Sequence, residues 1–414
     1  MTTLAGDAGL DAARTRSTRT LFVTVSLAAI ALYGTFTAGA LVASELTGST
    51  SWSGVPGAVA VLGAGVGAGA ISRLMAKRGR RTGLVVGYAV AVVGAVTSVL
   101  GFEAGSFGVF LAGMVMIGIG HGASQLSRFV AADLQPPARK GTALAWIVWS
   151  STIGAGAGPA LMAPMRGPAE ALGLPPLAGA FVLALVAYFL AAGLCTWLLR
   201  PDPSELAHRD DSVVAESPNG LELSSWRHPV VQSAIVVLLA TQAAMVLIMS
   251  MTPVHIRDAG HSLDAIGFVM SSHFVGMFAL APVAGKLVDR MGAVRVALMG
   301  LGLLIAAASI GALVPASSHM ALALALFLLG LGWSLAFVAG SGMLAGELPV
   351  AQRMRMQGNV DTLMWTAGAT ASLSSGLLLE AFSYPTLCVI GGAMVLVAGG
   401  LIAPRLPRRA EAAT

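Results

Sequence analysis

The sequence predicts an all-α polytopic membrane protein with twelve transmembrane helices arranged as two six-helix bundles. Of its 414 residues 56% are hydrophobic and 10% are charged, a balance that excludes an ordinary soluble domain. Apolar stretches long enough to cross a bilayer recur along the chain. One long polar stretch near the middle separates six of them from the other six.

Each predicted span has about the 20 apolar residues that a helix needs to cross the hydrocarbon core. In chain order the spans are 21–43, 55–75, 84–102, 107–131, 142–165, 177–200, 230–252, 264–285, 294–316, 319–344, 359–382 and 384–404. The polar stretch contains four prolines and mixed charges, which is typical of a flexible linker. The predicted domains are an N-terminal tail (1–20), a first bundle (21–200), a linker (201–229), a second bundle (230–404) and a C-terminal tail (405–414).

Charge placement predicts the orientation of these spans. An even number of spans puts both termini on one side of the membrane. If that side is the cytoplasm, 22 of the 24 Lys and Arg lie inside, and Arg166 and Arg257 lie outside. The positive-inside rule therefore predicts cytoplasmic termini in a bacterial inner membrane. The apolar run that starts at Leu21 is too long for a signal-peptide core, so we expect a retained first helix.

Several function classes have no support in the sequence. The net charge of +5 comes from loop residues and does not indicate a nucleic-acid partner. There is no phosphate-binding loop, no zinc-protease motif and no appended soluble domain, so we expect neither an enzyme nor a bound cofactor. Cys195 and Cys388 fall at opposite ends of their spans, so no disulfide is expected.

A short basic loop occurs once in each half. Between the eighth and ninth spans runs Gly285-Lys-Leu-Val-Asp289-Arg290-Met-Gly292, and residues 72–81 form a related loop between the second and third spans. The second copy resembles the signature G-x-L-a-D-R-x-G-R-R of the major facilitator superfamily. The first copy lacks the acid, because Ala76 stands at its position.

This resemblance, with twelve spans and a central linker, implies the major facilitator fold and transport by alternating access through a central cavity. It also implies a gating role for Asp289, whose family counterpart caps a helix of the opposite half near Arg139 to Thr142. Plain loop solvation is the alternative. Since the first loop lacks its acid, we hypothesise that Asp361 supplies a charge to residues 73–81, with proton coupling as its rival.

Two further features bear on gating. Arg128 and Asp133 lie at the inner end of the fourth span, where they can pair. The fifth span contains Gly154-x-x-x-Gly158-Pro159, which resembles the Gly-Pro pattern of family members that export by antiport. Close helix packing at the small residues and a proline bend explain the same pattern without any export function.

Two pairs of soft metal ligands lie in the seventh and eighth spans, Met245-x-x-x-Met249 and His273-x-x-x-Met277. A spacing of four puts both members of a pair on one helix face. Thioether and imidazole ligands suit copper, Cu(I) above all. Counted from the turn between these spans at 1.5 Å per residue, Met245 and His273 lie at about the same depth, roughly 12 Å in.

These pairs resemble those of the CcoA family of copper importers, a branch of the major facilitator superfamily that supplies copper for cbb-type cytochrome oxidase. The resemblance implies Met245 and His273 as principal ligands, with Met249 and Met277 in support. Relatives on the same branch move organic solutes such as riboflavin. Methionine is also a common core filler, and His273 has polar packing or a proton relay as alternatives, with Ser271, Ser272 or a backbone carbonyl as its partner.

Three other histidines are candidates for lesser roles. His121 lies among glycines of the fourth span, where it lines a cavity or bonds to a neighbouring helix. His255 and His261 lie near the outer turn and offer a first, weak metal contact, or are simply solvated. The leading expectation is thus a monomeric importer of copper ion or a small copper chelate, surrounded by lipid. The alternative is a transporter or proton antiporter of an organic solute.

Overall fold

The computed structural model describes residues 2–135, 140–206, 226–347 and 350–405, which are almost entirely helical. The helices are α1 Thr2–Thr47, α2 Val55–Arg78, α3 Arg80–Glu103, α4 Phe107–Asp133, α5 Lys140–Ala160, α6 Arg166–Ala171, α7 Gly179–Leu198, α8 Pro203–Leu206, α9 Pro229–Asp258, α10 Leu263–Phe278, α11 Ala281–Met291, α12 Ala293–Leu313, α13 His319–Glu347, α14 Val350–Ala381 and α15 Tyr384–Ile402.

These helices account for the twelve predicted spans and confirm the all-α fold. In the described part of the chain, ten segments are long and apolar enough to cross a membrane by length and composition alone. The helices α5 and α14 occupy the fifth and eleventh predicted spans. The eighth span consists of α10 and α11, because Pro282 at the start of α11 lacks the amide hydrogen that a continuous helix requires.

Contacts divide the chain into two compact units. Of the described residues, those up to 206 and Ser262–Ser271 form the N-terminal unit, and those from 226 to 261 and from 272 to 405 form the C-terminal unit. Thus the first half of α10 belongs to the N-terminal unit, although it follows α9 in the sequence. The first half of α10 packs closely on α5 at a glycine: a Cβ at Gly267 would lie 2.5 Å from the carbonyl oxygen of Pro159.

Close contacts at glycine hold α5 against α1 in the N-terminal unit. A Cβ at Gly154 would lie 2.4 Å from the Ala29 Cβ, and one at Gly158 would lie 2.6 Å from the Ile30 carbonyl oxygen. Neither position has room for a side chain. The packing explanation of this glycine pattern is therefore what the structure shows, and Pro159 lies inside the last turn of α5.

Three segments differ from the sequence prediction. The predicted N-terminal tail is helical from Thr2 and continuous with α1. The predicted outer turn after residue 252 is shorter than expected, because α9 continues through Pro253 to Asp258. The start of the predicted linker is folded, since Pro203–Leu206 form α8. Linker residues 207–225 and the tail from 406 lie outside the described residues.

Candidate functional site

The four predicted copper ligands all lie in the interior. Met245 and Met249 on α9 are 3% and 5% exposed, and His273 and Met277 on α10 are 0% and 7% exposed. The Nδ1 atom of His273 is 2.8 Å from the carbonyl oxygen of Leu326 on α13. A carbonyl only accepts, so Nδ1 carries the hydrogen and Nε2 keeps a lone pair. Among the described residues Nε2 has no hydrogen-bond partner.

Close packing on α13 orients His273. A Cβ at Gly330 of α13 would lie 2.2 Å from the His273 carbonyl oxygen, so the two backbones are in contact there. The neighbouring hydroxyls do not bond to the imidazole: Ser272 donates to the carbonyl of Ala323 at 2.9 Å, and Ser271 donates to that of Gly156 at 2.7 Å. A backbone carbonyl is thus the partner that fixes the ring.

The contacts of α9 with α13 give the level of the methionines. Leu238 meets Gly340, where a Cβ would lie 2.7 Å from the leucine Cγ, and Gln242 binds Trp333 further along. The helices therefore run antiparallel. Seven residues beyond Gln242, about 10 Å on, Met249 reaches the level of α13 at which His273 is bound. Among the described residues no hydrogen bond joins a methionine sulfur to the His273 ring, so joint coordination stays a prediction.

A polar and aromatic cluster that the sequence reasoning missed lies next to these ligands. The indole Nε1 of Trp333 on α13 donates to Oε1 of Gln242 on α9 over 2.8 Å. The rings of Trp333 and Phe337 are stacked, with centroids 4.8 Å apart and an interplanar angle of 11°. Phe278 at the end of α10 approaches the indole edge-on at 6.4 Å. These residues form the Trp333 cluster.

The Trp333 cluster has the accessibility of a binding surface. All three aromatic side chains are half-buried, whereas Gln242 is buried. Since the Gln242 oxygen accepts the indole hydrogen, its amide nitrogen points elsewhere, toward Gly368 of α14, whose Cβ would lie 3.0 Å away. That amide nitrogen carries two N–H donors and lies close to the backbone of Gly368. A glutamine inside an apolar span is itself a signal that could have identified this site.

An acidic residue from outside the basic loop binds that loop in the N-terminal unit. Asp202, just after α7, accepts hydrogen bonds from the backbone amides of Arg80 and Arg81, each at 3.1 Å. These are the first amides of α3, so the carboxylate caps that helix. Gly79 makes the turn possible with a φ of 90°, in the left-handed region. The sequence signal was Asp202-Pro203-Ser204-Glu205, a helix-start pattern.

Asp133 has a different partner from the one that the sequence suggested. Its carboxylate binds the guanidinium of Arg80 at 2.8 Å, while the guanidinium of Arg128 lies 4.9 Å from the centre of the Phe129 ring. Arg80 reaches Asp133 because α3 and α4 are neighbours in the N-terminal unit. The loop is therefore bound by acids at two points, Asp133 and Asp202, and needs no acid from its own repeat.

The second loop presents its acid to solvent. Asp289 and Arg290 are exposed on α11, and Gly292 ends that helix with a φ of 83°. Gly285 has open space beside it. The partner predicted for Asp289 includes Arg139, which lies outside the described residues. The side chain of Asp361 on α14 is likewise outside the described part, so its two predicted roles stay predictions.

The other histidines occupy three different settings. His121 is bonded to Gln125 of its own helix, with 3.0 Å between the two Nε2 atoms, so the predicted bond to a neighbouring helix is wrong. His255 belongs to α9 rather than to a loop, and its ring stacks on Tyr384 with centroids 4.1 Å apart. His261 does lie in the turn, where Nε2 is 3.0 Å from the carbonyl oxygen of Ala316. Arg166, one of the two cations predicted to lie outside, has its pKa raised by the hydrogen bond to Glu170.

Comparison with known proteins assigns the family. The model of the Major Facilitator Superfamily matches residues 21–264 and 233–414. The chain belongs to this superfamily. It is 35% identical over 92% of its length to an uncharacterized MFS-type transporter, YdeG, of Bacillus subtilis (strain 168), of which it covers 90%. The superfamily assignment makes the chain a multi-pass membrane transporter rather than an enzyme.

Two further sets of similar proteins extend this result. The chain is 27% identical over 84% of its length to the riboflavin transporter RfnT of Brucella anthropi, of which it covers 85%. Among solved structures, a D-xylose–proton symporter has a TM-score of 0.73 at 16% identity, with 94% and 98% of the two chains covered. A bacterial homolog of the human lysosomal transporter Spinster has a TM-score of 0.71 at 14% identity, with 94% and 96% covered. At these identities the structures support the fold alone.

Proposed function

We propose that this chain is a secondary active transporter that moves a small organic solute with a planar aromatic ring system across the bacterial cytoplasmic membrane by alternating access. The observation that carries the proposal is the Trp333 cluster. Stacked, half-buried rings provide the flat apolar surface on which an aromatic solute packs. A few placed polar groups beside such a surface fix a ligand's orientation.

The polar part of the cluster favours a ring with carbonyl acceptors on its edge. The amide nitrogen of Gln242 offers two N–H donors beside Gly368, while its oxygen is already bound by Trp333. Riboflavin has this chemistry, a flat tricyclic ring with two carbonyl groups at one end. The similarity to a riboflavin transporter adds support for a flavin-like solute.

The test is uptake of labelled riboflavin by bacterial cells that cannot make it and lack their own carrier. Expression of the wild-type chain should restore uptake, and Gln242→Leu and Trp333→Leu should each reduce it at least tenfold at equal membrane level. The matched control is Trp197→Leu, because this tryptophan of α7 is exposed, and it should transport normally. Normal uptake by the Gln242→Leu variant would contradict the proposed site, and unlabelled planar compounds that fail to compete would contradict the solute class.

Import of copper, as an ion or a small chelate, is the second candidate, with delivery to cytochrome oxidase assembly as the purpose that the CcoA resemblance implies. It is favoured by the buried Nε2 lone pair of His273, which is oriented by a carbonyl as metal-bound imidazoles are. Met249 also lies at the level of α13 at which His273 is bound, which agrees with a path of soft ligands. Sites on such a path must fill and empty, so a closed cage is not expected.

Radioactive copper uptake distinguishes the two candidates. If copper is the substrate, Met245→Leu and His273→Ala should abolish accumulation, while Met249→Leu and Met277→Leu should be milder because they are supporting ligands. If the methionines only fill the interior, Met→Leu conserves volume and should leave transport of any solute almost unchanged. Wild-type copper uptake by Met245→Leu together with His273→Ala would exclude copper as the substrate.

A further inference from the structure

Two histidines that are far apart in the sequence meet at one end of the C-terminal unit. His261 lies in the turn after α9, and His319 is the first residue of α13. Their ring centroids are 5.3 Å apart, with an interplanar angle of 69°. Both side chains are half-buried, so the pair is reachable from solvent. By the charge pattern this end of the unit faces outside.

The hydrogen bond of His261 determines which of its nitrogens can bind a ligand. Its Nε2 lies 3.0 Å from the carbonyl oxygen of Ala316, which can only accept, so Nε2 carries the hydrogen. The lone pair of a neutral His261 is therefore on Nδ1. Metal-bound histidines nearly always donate their other ring N–H to a carbonyl or carboxylate in this way, which fixes the ring and its tautomer.

The distance between the rings fits a shared transition-metal ion. With a metal–nitrogen bond of about 2.0–2.1 Å, an imidazole centre lies about 3 Å from the metal. Two imidazoles at a tetrahedral angle then have centres about 5 Å apart, close to the 5.3 Å observed. The interplanar angle of 69° shows that the rings are not stacked face to face.

We propose that His261 and His319 form a divalent transition-metal site, suited to Zn²⁺ or Cu²⁺, at the outer end of the C-terminal unit. Two imidazoles supply the protein ligands and water supplies the remaining ones, so the ion exchanges readily. A bound ion joins the turn after α9 to the start of α13, in addition to the hydrogen bond from His261 to the carbonyl of Ala316. The site is separate from the Trp333 cluster and from His273. The proposal therefore does not depend on which solute the protein transports.

The experiment titrates the purified full-length protein in detergent with Zn²⁺ and measures binding by calorimetry. Zinc is chosen because it prefers imidazole to thioether, so the interior methionines do not compete. The titrations are repeated with His273→Ala in every variant, so that the buried imidazole of His273 does not compete either. Loss of a hydrogen-bond partner of a metal ligand alone weakens metal binding about 10–100-fold. Loss of a ligand should therefore weaken it at least about tenfold in both His261→Gln and His319→Gln. The control is His228→Gln, which changes a histidine at the other end of α9.

A second measurement on the wild type needs no variant. Zn²⁺ should protect His261 and His319 together from modification by diethylpyrocarbonate, as measured by mass spectrometry, while His228 stays reactive. A ring pair that is only an edge-to-face contact would leave both histidines equally reactive with and without Zn²⁺. That result, or zinc binding that survives either glutamine substitution in a monodisperse protein, would overturn the proposal.

Discussion

The hydrogen bond between Trp333 and Gln242 is the smallest unit on which the proposed binding surface depends. An indole N–H inside an apolar bundle needs an acceptor, because a polar group left without one costs about 1–3 kcal/mol. Gln242 is the acceptor here, on a different helix, so the bond joins α9 to α13. The stacked Trp333 and Phe337 rings depend on this bond to keep the indole in place.

We predict that Gln242→Leu lowers the thermal stability of the detergent-solubilised protein, because it leaves the Trp333 N–H without its acceptor. Trp333→Phe removes the donor and should also destabilise. The double variant should cost less than the sum of the single variants, since neither polar group is then left alone. Strict additivity in the thermal unfolding midpoints would show that the bond contributes nothing.

Single residues also show how far the sequence was informative. The equal depth of Met245 and His273 is counted from a turn after residue 252, but α9 continues to Asp258. The contacts of α9 with α13 bring Met249, rather than Met245, to the level at which His273 is bound. The partner of the His273 ring, the Leu326 carbonyl, could not be predicted, since periodicity does not reveal which helix packs at Gly330. The Trp333 cluster joins three helices, and its members have no shared spacing in the sequence.

At the scale of elements, glycine contacts set the helix packing of the N-terminal unit. The α5 helix touches α1 at Gly154 and Gly158. In a membrane this packing has no hydrophobic driving force and depends on close van der Waals contact. The same two positions carry the pattern associated with antiport, but the structure needs no export function to explain them.

We predict that Gly158→Leu separates α1 from α5 and destabilises the protein by at least the 1–3 kcal/mol typical of overpacking. The matched control is Gly65→Leu on α2, where nothing lies within 4 Å of an added Cβ. Fluorescence-detected size exclusion after heating measures both. Equal thermal stability of the two variants would mean that the α1–α5 contact is not as close as the structure shows.

The capping of α3 by Asp202 gives the next prediction at this scale. Asp202→Ala removes the acceptor of two helix-start amides, so it should cost about 0.5–2 kcal/mol, the usual cost of losing a cap. Asp202→Asn should cost less, because an amide oxygen still accepts. Glu205→Ala, in the same short helix, serves as the control. A thermal midpoint unchanged by Asp202→Ala would contradict the capping role.

The elements themselves were the most predictable part of the fold. Apolar length indicates the spans because a bilayer of fixed thickness sets the length of each helix, and ten described segments meet that criterion alone. Two features escaped prediction. The α9 helix runs on through Pro253 to Asp258, and α8 with Asp202 belongs to the packed N-terminal unit instead of a free linker. Both depend on contacts with distant residues, which hydropathy does not report.

At the scale of the whole molecule, the orientation in the membrane stays a prediction that follows from charge. The positive-inside rule puts both termini and the two basic loops in the cytoplasm. The exception at Arg166 is paired with Glu170 at 2.8 Å, so the outer segment carries little net charge there.

Reporter fusions test this orientation. Green fluorescent protein fused after residue 414 should fluoresce, and alkaline phosphatase fused there should be inactive, because phosphatase folds only outside the cytoplasm. Alkaline phosphatase fused after Gly173, between α6 and α7, should be active. Activity in the reverse pattern would invert the orientation and would place the His261–His319 pair on the inner side.

The two basic loops differ in a way that separates stability from transport. In the first loop the acid Asp202 is bound to its own unit, capping α3 through the amides of Arg80 and Arg81. In the second loop Asp289 is exposed on α11, beside a glycine turn at Gly292. An exposed acid contributes little to stability. We expect it to cap a helix of the other half during the transport cycle, as the family resemblance implies.

We therefore predict opposite effects for two matched substitutions. Asp289→Asn should reduce solute uptake severalfold while the thermal midpoint stays at the wild-type value, because the lost interaction stabilises one state of the cycle rather than the fold of its unit. Asp202→Asn should lower the thermal midpoint and leave uptake per folded molecule unchanged. Uptake in cells and thermal unfolding in detergent, measured on both variants at equal expression, show whether each acid acts in transport or in stability. If Asp289→Asn instead lowers the midpoint with normal uptake, the acid is structural and the gating role assigned to it is wrong.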